Sequence, residues 1–324
     1  MKVAVVGTGH LGREHARIYA SLPQVELVGI FDHDEEQAAK AAAHAGGCTV
    51  FSSLNELLDK TEALSLCVPT PAHAAVAREC LERGKHLMIE KPITDNLAEA
   101  RDIRDLATSK GCTLQVGHVE RFNPAMIAAT RHLDTPRFVE CHRLSQFGAR
   151  GSDVAVVLDL MIHDLDLLLS VIGGEVQSID ASGVSVLSGN TDLANARLKF
   201  RNGCVANITA SRISVDRMRK IRFFQPNAYI SVNLLAGQVA MYRKRPGVDL
   251  QDFQAKLQQG ETPNLLQAVE PVTVDIVKEE PLRLELQSFV DAVRNGTPPV
   301  VGADEGIRAL EVAFEIERLL SEGN

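Results

Sequence analysis

An α/β half followed by an α+β half is the fold class that the sequence predicts, and three observations predict it. Over the first 120 residues short apolar runs alternate with helical segments, the grammar of a parallel sheet with helices on both faces. A glycine-rich turn follows the first of those runs. Past residue 120 the alternation gives way to longer strands, with an Asn202-Gly203 turn of the kind that closes antiparallel hairpins. These patterns place a doubly wound domain at residues 1–120 and an α+β domain with a large, mainly antiparallel sheet at residues 121–324.

The elements follow in order. Lys2–Val6 reads as a strand, the glycine turn comes next, and a helix runs through Tyr19. Val25–Phe31 is the second strand, followed by Asp32 and an alanine-rich helix. Ala63–Val68 is a continuous apolar strand that stops at Pro69-Thr70-Pro71, and a helix then reaches Arg83. Lys85–Ile89 is strand, Leu97–Lys110 helix and Thr113–Gly117 strand. Beyond the division, Arg137–Gln146 reads as strand and Val154–Ile172 as a long apolar helix. Strands then run from Val176 to about Tyr242, and the helices Leu282–Asn295 and Gly302–Leu320 finish the chain.

Composition narrows the function. A chain of 324 residues suffices for about two domains with a sizeable core. Its net charge of −8 disfavours sequence-independent binding of nucleic acid, which needs basic surface against phosphates. Hydrophobic content is 45%, yet no uninterrupted apolar run approaches the roughly 18 residues of a membrane span. The opening MKVAVVG has no small-residue cleavage site and reads as a strand rather than an export signal. Cys48, Cys67, Cys80, Cys112, Cys141 and Cys204 show neither a CxxC pair nor zinc-like spacing. They read as small buried hydrophobes of a reducing cytoplasm, with no metal site expected.

Gly7-Thr8-Gly9-His10-Leu11-Gly12 fits G-x-G-x-x-G directly after a strand and at the opening of a helix, and Asp32 lies 20 positions after Gly12. Gly7 permits the tight turn, Gly9 lets backbone approach a pyrophosphate, and Gly12 allows close packing of helix on strand. The helix N-terminus supplies N–H groups and partial positive charge to the diphosphate. Asp32 would accept hydrogen bonds from the ribose hydroxyls and repel a 2′-phosphate, so NAD is expected over NADP. The first domain is thus a Rossmann dinucleotide-binding domain.

Two further features carry chemistry. Glu90-Lys91-Pro92 follows a strand of the first half, and ligands of open α/β sheets lie beyond the carboxyl ends of strands. Lys91 there either holds a substrate hydroxyl and exchanges its proton, or is a solvated turn lysine. In the apolar segment VAVVLDLMIHDLDLLLSVIG, Asp159, His163, Asp166 and Ser170 are spaced by four, three and four residues and form one polar stripe. Unpaired buried polar groups cost about 1–3 kcal/mol each, so the stripe must face partners or water. Asp159 one turn before His163 suits an oriented general base for alcohol oxidation. Asp164 falls off the stripe and is expected at the surface or as a cap.

The GTGHLG turn, the segment CVPTPAHAAVARECLERGKHLMIEKPI and the helix DLMIHDLDLLLSVIG together resemble the glucose–fructose oxidoreductase, inositol dehydrogenase and rhizopine catabolism (Gfo/Idh/MocA) family of sugar dehydrogenases, over nearly the whole chain. The resemblance implies that Lys91 is the motif lysine, His163 the acid–base residue and Asp159 its partner. It implies that Thr70 and His73 line the nicotinamide side with Glu90 nearby. It also implies an open face on the C-terminal sheet, used for a homodimer or homotetramer, and a Lys-Pro bond often held in cis.

The stretch VGHVERFNPA follows the last strand of the first half, where the two halves meet, and clefts between domains favour small-molecule sites. His118, Arg121 and Asn123 suit sugar hydroxyls or an anion, unless the stretch is a linker with a structural arginine. Arg212, Arg217, Arg219, Lys220 and Arg222 crowd into eleven residues of an acidic protein. Strand alternation splits Arg219 from Lys220 and Arg222, so only part of the set can face one ligand. A nucleoside-diphosphate sugar would use such cations; a charged outer sheet face is the other reading. With GHVERFNP, the cluster is similar to the family branch that oxidises the 3-hydroxyl of UDP-N-acetylglucosamine, or its uronate, for lipid A or other surface polysaccharides. On that reading Asp166 and Arg219 join the substrate contacts. Inositols or free polyols, and a non-catalytic dinucleotide-binding sensor, are the alternatives.

Overall fold

The structure is a computed structural model and describes residues 1–148, 154–248, 255, 258, 259 and 268–322. The chain divides by contact into two compact units. The first comprises Met1–Phe122, Leu165–Leu167 and Glu279–Phe314, and the second Asn123–Asp164, Leu168–Lys278 and Glu315–Asn324.

In the first unit, β1 (Lys2–Val6), β2 (Glu26–Phe31), β3 (Thr49–Val50), β4 (Ala63–Leu66), β5 (His86–Glu90) and β6 (Leu114–Gly117) form a parallel sheet in the order β3-β2-β1-β4-β5-β6. The order reverses at the β1–β4 junction, the switch point at which such sheets take ligands. The crossovers are α1 (His10–Ser21), α2 (Glu35–His44), α3 (Leu54–Lys60), α4 (His73–Glu82) and α5 (Leu97–Lys110). β3 and α3 are not among the elements read from sequence. Three helix starts are written locally. Asp34 accepts from Gln37 N–H, Ser53 from Glu56 N–H and Asn96 from Glu99 N–H, each satisfying an orphan donor of the first turn.

Whereas the sequence reading ends the first domain near residue 120, this unit also takes in α8 (Pro281–Asn295). The reason is apolar burial. Leu286, Phe289 and Val290 of α8 share one core with Val3, Val5, Ile18, Tyr19 and Met88.

The second unit contains an eight-stranded sheet among the described residues. It is built from β7 (Phe138–Leu144), β8 (Val176–Val184), β9 (Leu193–Phe200), β10 (Val205–Ser211), β11 (Met218–Gln225), β12 (Ala228–Asn233), β13 (Gln238–Lys244) and β14 (Val269–Val272). The order is β14-β13-β12-β11-β7-β10-β9-β8, antiparallel except for the β7–β10 pair. Residue alternation sets its faces: in β9, Ala194, Ala196, Leu198 and Phe200 are buried between exposed neighbours. A short helix α6 (Pro124–Thr130) precedes β7. The long apolar segment opens with a π-helical turn, Val157–Met161, that packs on β10 and runs into α7 (Ile162–Ile172). The last helix, α9, spans Ala303–Glu322. No helix among the described residues is long and apolar enough to cross a membrane.

Candidate active site

The glycine turn shows three glycines with three different causes. Gly7 sits at φ +85°, and a Cβ there would lie 2.6 Å from the backbone of Cys67 and Val68. A Cβ on Gly12 would lie 1.9 Å from the Gly7 carbonyl oxygen, so α1 can seat on the sheet only without one. Gly9 differs: a Cβ would meet only Gln37 Oε1, at 3.7 Å. The protein's own packing leaves Gly9 open, and no side chain caps the α1 N-terminus. Open backbone at a helix N-terminus is what a diphosphate needs, so the turn fits a dinucleotide.

Asp32 is anchored rather than loose at the end of β2. Its Oδ2 accepts from Thr8 N–H at 2.6 Å and from the Thr8 hydroxyl at 2.9 Å, and its Oδ1 accepts from Asp34 N–H at 3.0 Å. Burial opposes its charge most, but these donors and His33 outweigh it and hold the carboxyl below its ordinary range. Thr8 is thus part of the site, a role its place as a variable position of the motif hides.

Beyond β5, Glu90 is 8% exposed and accepts from His15 Nε2 at 3.0 Å and from the Lys91 N–H at 3.3 Å. Burial works against ionisation of Glu90, but the bond and charge of His15 and the Lys91 ammonium hold its carboxyl low. Cys67 joins them: its sulfur, a ring nitrogen of His15 and a carboxylate oxygen of Glu90 lie within 4.8 Å of one another. The glycine that ends β6 has its cause here, since a Cβ on Gly117 would meet Glu90 Oε2 at 2.9 Å. Lys91 is half-buried, and its bond to Pro92 is cis. All six cysteines are free thiols. Sequence reasoning missed His15, whose signal is a histidine on the buried face of α1 beside Gly12 and Tyr19.

Several expected ligand contacts have partners within the chain. Arg121 donates to both oxygens of Asp166, at 2.6 and 2.9 Å. Asn123 caps α6 through Ala125 N–H and donates to the Leu234 carbonyl. The ring nitrogens of His73 each lie 2.9 Å from a carbonyl oxygen, of Pro92 and of Val68, and the residue is buried. Thr70, half-buried, opens a single 3₁₀ turn before α4. His118 is buried. Desolvation lowers its imidazole pKa most; Asp166 and Glu90 pull the other way, Arg121 and Lys91 with it.

In the second unit Asp159 and His163 are half-buried on the π turn and α7, while Ser170 is exposed. Asp164 corrects the expectation of a surface or capping residue. It is 1% exposed and receives two hydrogen bonds, at 2.7 and 2.8 Å, from Arg143 of β7. Arg143 was not a candidate because it reads as an ordinary strand residue. The basic cluster also divides. Arg212 is buried and donates to the Val154 carbonyl, and Arg217 is exposed. Arg222 pairs with Glu140 across the β7–β11 ladder at 3.1 Å. Arg219, exposed, shares the strand face of buried Ile221 and Phe223, opposite to Lys220 and Arg222.

The order of the first sheet, the open Gly9 backbone and the anchored Asp32 define a Rossmann domain built to hold NAD. The comparisons with known proteins agree. A family model described as an oxidoreductase family with an NAD-binding Rossmann fold matches residues 1–118, and a GFO/IDH/MocA C-terminal domain matches residues 126–230. The chain belongs to the GFO/IDH/MocA oxidoreductase family. It is 34% identical to the UDP-N-acetylglucosamine 3-dehydrogenase of Acidithiobacillus ferrooxidans, over 98% of this chain and 96% of that one. The crystal structure of that enzyme superposes with a TM-score of 0.87 at 33% identity, covering 99% of this chain and 97% of the other. The scyllo-inositol 2-dehydrogenase (NAD(+)) of Bacillus subtilis is 26% identical over 97% of this chain and 92% of its own length.

Proposed function

We propose that this oxidoreductase oxidises the 3-hydroxyl of UDP-N-acetylglucosamine, or of its uronate, to a 3-keto nucleotide sugar for surface polysaccharide or lipid A. The observation that carries this reading is the 34% identity to a UDP-N-acetylglucosamine 3-dehydrogenase along nearly the full length of both chains. Gly7, Gly9, His10, Leu11, Gly12 and Asp32 would hold NAD, with Thr70 and Glu90 nearby. When bound, NAD⁺ supplies the acceptor for the hydride that leaves the carbinol carbon.

The chain's own task is the hydroxyl proton. Lys91 and His163 take it, with Asp159 orienting His163 and Lys91 stabilising the developing alkoxide. Glu90 keeps the environment of Lys91 anionic, since it stays ionised on His15. His118, Arg121, Asn123, Asp166 and Arg219 are the candidate contacts to the sugar nucleotide. Copies of the chain associate through the open face of the eight-stranded sheet as a dimer or tetramer, in the cytoplasm.

The test is a rise of reduced-nicotinamide absorbance when the protein is mixed with NAD⁺ and each substrate. UDP-N-acetylglucosamine should be oxidised and scyllo-inositol ignored. Lys91→Ala should lose about 10²–10⁴-fold in kcat while still binding NADH. Turnover of inositol alone would transfer the protein to the polyol branch. NADH binding with no turnover of any sugar would make it a sensor.

A further inference from the structure

The buried face of α8 contains one residue that the apolar stripe does not explain. Leu282, Glu285, Leu286, Phe289 and Val290 follow helical spacing, and Glu285 is the charged member of the set. Its exposure is 0%, and no hydrogen-bond donor reaches either carboxylate oxygen among the described residues. Gln115 Nε2 of β6 donates to the Glu285 carbonyl at 3.1 Å, tying this turn of α8 to the sheet.

The charges it feels have its own sign. Burial raises the Glu285 carboxyl most, and the carboxylates of Glu90 and Asp166 raise it further. Those carboxylates have partners of their own: His15 and Lys91 bear on Glu90, and Arg121 pairs with Asp166. Helix α8 packs on α1 and on the turn Val119–Phe122, so Tyr19 and Glu120 are the other ionisable groups on these elements turned inward, with Cys67 beside β4. Burial pushes the Tyr19 hydroxyl and the Cys67 thiol up, and Glu90 adds to the effect at Cys67.

We propose that Glu285 is a neutral carboxylic acid, so that the two buried carboxyls Glu90 and Glu285 hold one negative charge between them, and that this single charge sets the proton affinity of Lys91. Like charges in a shared low-dielectric site cannot both ionise cheaply, and the donors select Glu90 as the ionised member. Glu285 is then a positioning residue that acts through Glu90. Ionised Glu285 would add a second anion beside Glu90, whose charge the Lys91 ammonium feels, and the lysine proton would be bound more tightly. The role in tuning Lys91 rests on the reading of Lys91 given above; the protonation of Glu285 does not.

Two measurements separate these claims. In wild-type protein carrying ¹³C-carboxyl glutamate, one glutamate resonance should keep the protonated shift at neutral pH, and Glu285→Gln should remove it. Spectra with every glutamate at the ionised shift, or a protonated signal that survives in Glu285→Gln, overturn the proposal. If Glu285→Gln does not fold, Glu90→Gln replaces it: loss of the neighbouring charge should lower the midpoint of that signal, and an unmoved midpoint is the contrary result.

The second measurement is the pH profile of kcat/KM. Glu90→Gln, which removes the single charge, should shift the alkaline limb, while Glu285→Gln, which leaves that charge in place, should not move it; a limb unmoved in Glu90→Gln removes the tuning role, and a limb moved in Glu285→Gln contradicts the single charge. The spectrum needs no substrate, so failure of the sugar assignment and failure of this proposal are distinguishable.

Discussion

Gly9 and Gly12 belong to one motif, yet the structure assigns them opposite sensitivities. Consider Gly9→Val and Gly12→Val. At Gly9 the backbone has φ −59° and a Cβ finds 3.7 Å of clearance, so a side chain fits the protein itself. The expected stability change is that of an ordinary surface substitution, within about 0.5 kcal/mol. At Gly12 the first carbon falls 1.9 Å from a backbone oxygen, and helix and turn must separate. Overpacking of this kind costs about 1–3 kcal/mol or more. Binding should reverse the ranking of cause. The valine on Gly9 occupies the path by which backbone N–H groups reach a diphosphate, and NADH affinity should fall at least about tenfold, which is about 1.4 kcal/mol. Thermal melts give the stability and NADH fluorescence titration the affinity. Wild-type NADH affinity in a folded Gly9→Val protein would refute the placement of the diphosphate over this turn.

Two further outcomes concern the second unit. Removing Asp164 leaves the Arg143 guanidinium buried at 2% exposure without its carboxylate, so Asp164→Ala should cost about 3–5 kcal/mol in urea unfolding. Arg143→Met with Asp164→Leu should cost much less than the sum of the single changes; additivity would contradict a coupled buried pair. Asp192 accepts from the N–H groups of Val186, Leu187 and Ser188 and from the Ser188 hydroxyl. Burial opposes its charge, but those donors hold its carboxyl well below the usual aspartate value. Its contribution is therefore fully present above the ordinary aspartate pKa and lost as pH falls through the depressed one. Asp192→Asn should be less stable than wild type near neutral pH, and the gap should close in acid; a gap independent of pH would show that ionisation is not what stabilises the β8–β9 connection.

The legible features share a short range. The glycine turn after the first strand and the carboxylate 20 residues past it are each dictated by backbone geometry within one supersecondary unit. The polar stripe on the segment that ends in α7 was legible as a pattern, but its members part company in the structure. Asp166 goes to Arg121, 45 residues away, and Asp164, judged superficial, goes to Arg143. Periodicity tells which side a residue occupies and is silent on what stands opposite.

What the sequence determined by itself is the first sheet with its turn chemistry, the dinucleotide-binding fold and the family, because steric and hydrogen-bond constraints between near neighbours leave a mark in residue type. Tertiary structure alone decided the charge pairing: His15 with Glu90 across 75 residues, Arg143 with Asp164, and a Glu285 carboxyl that no donor reaches among the described residues. Coulomb energy and desolvation depend on distance through space and on burial. Neither is carried by position along the chain.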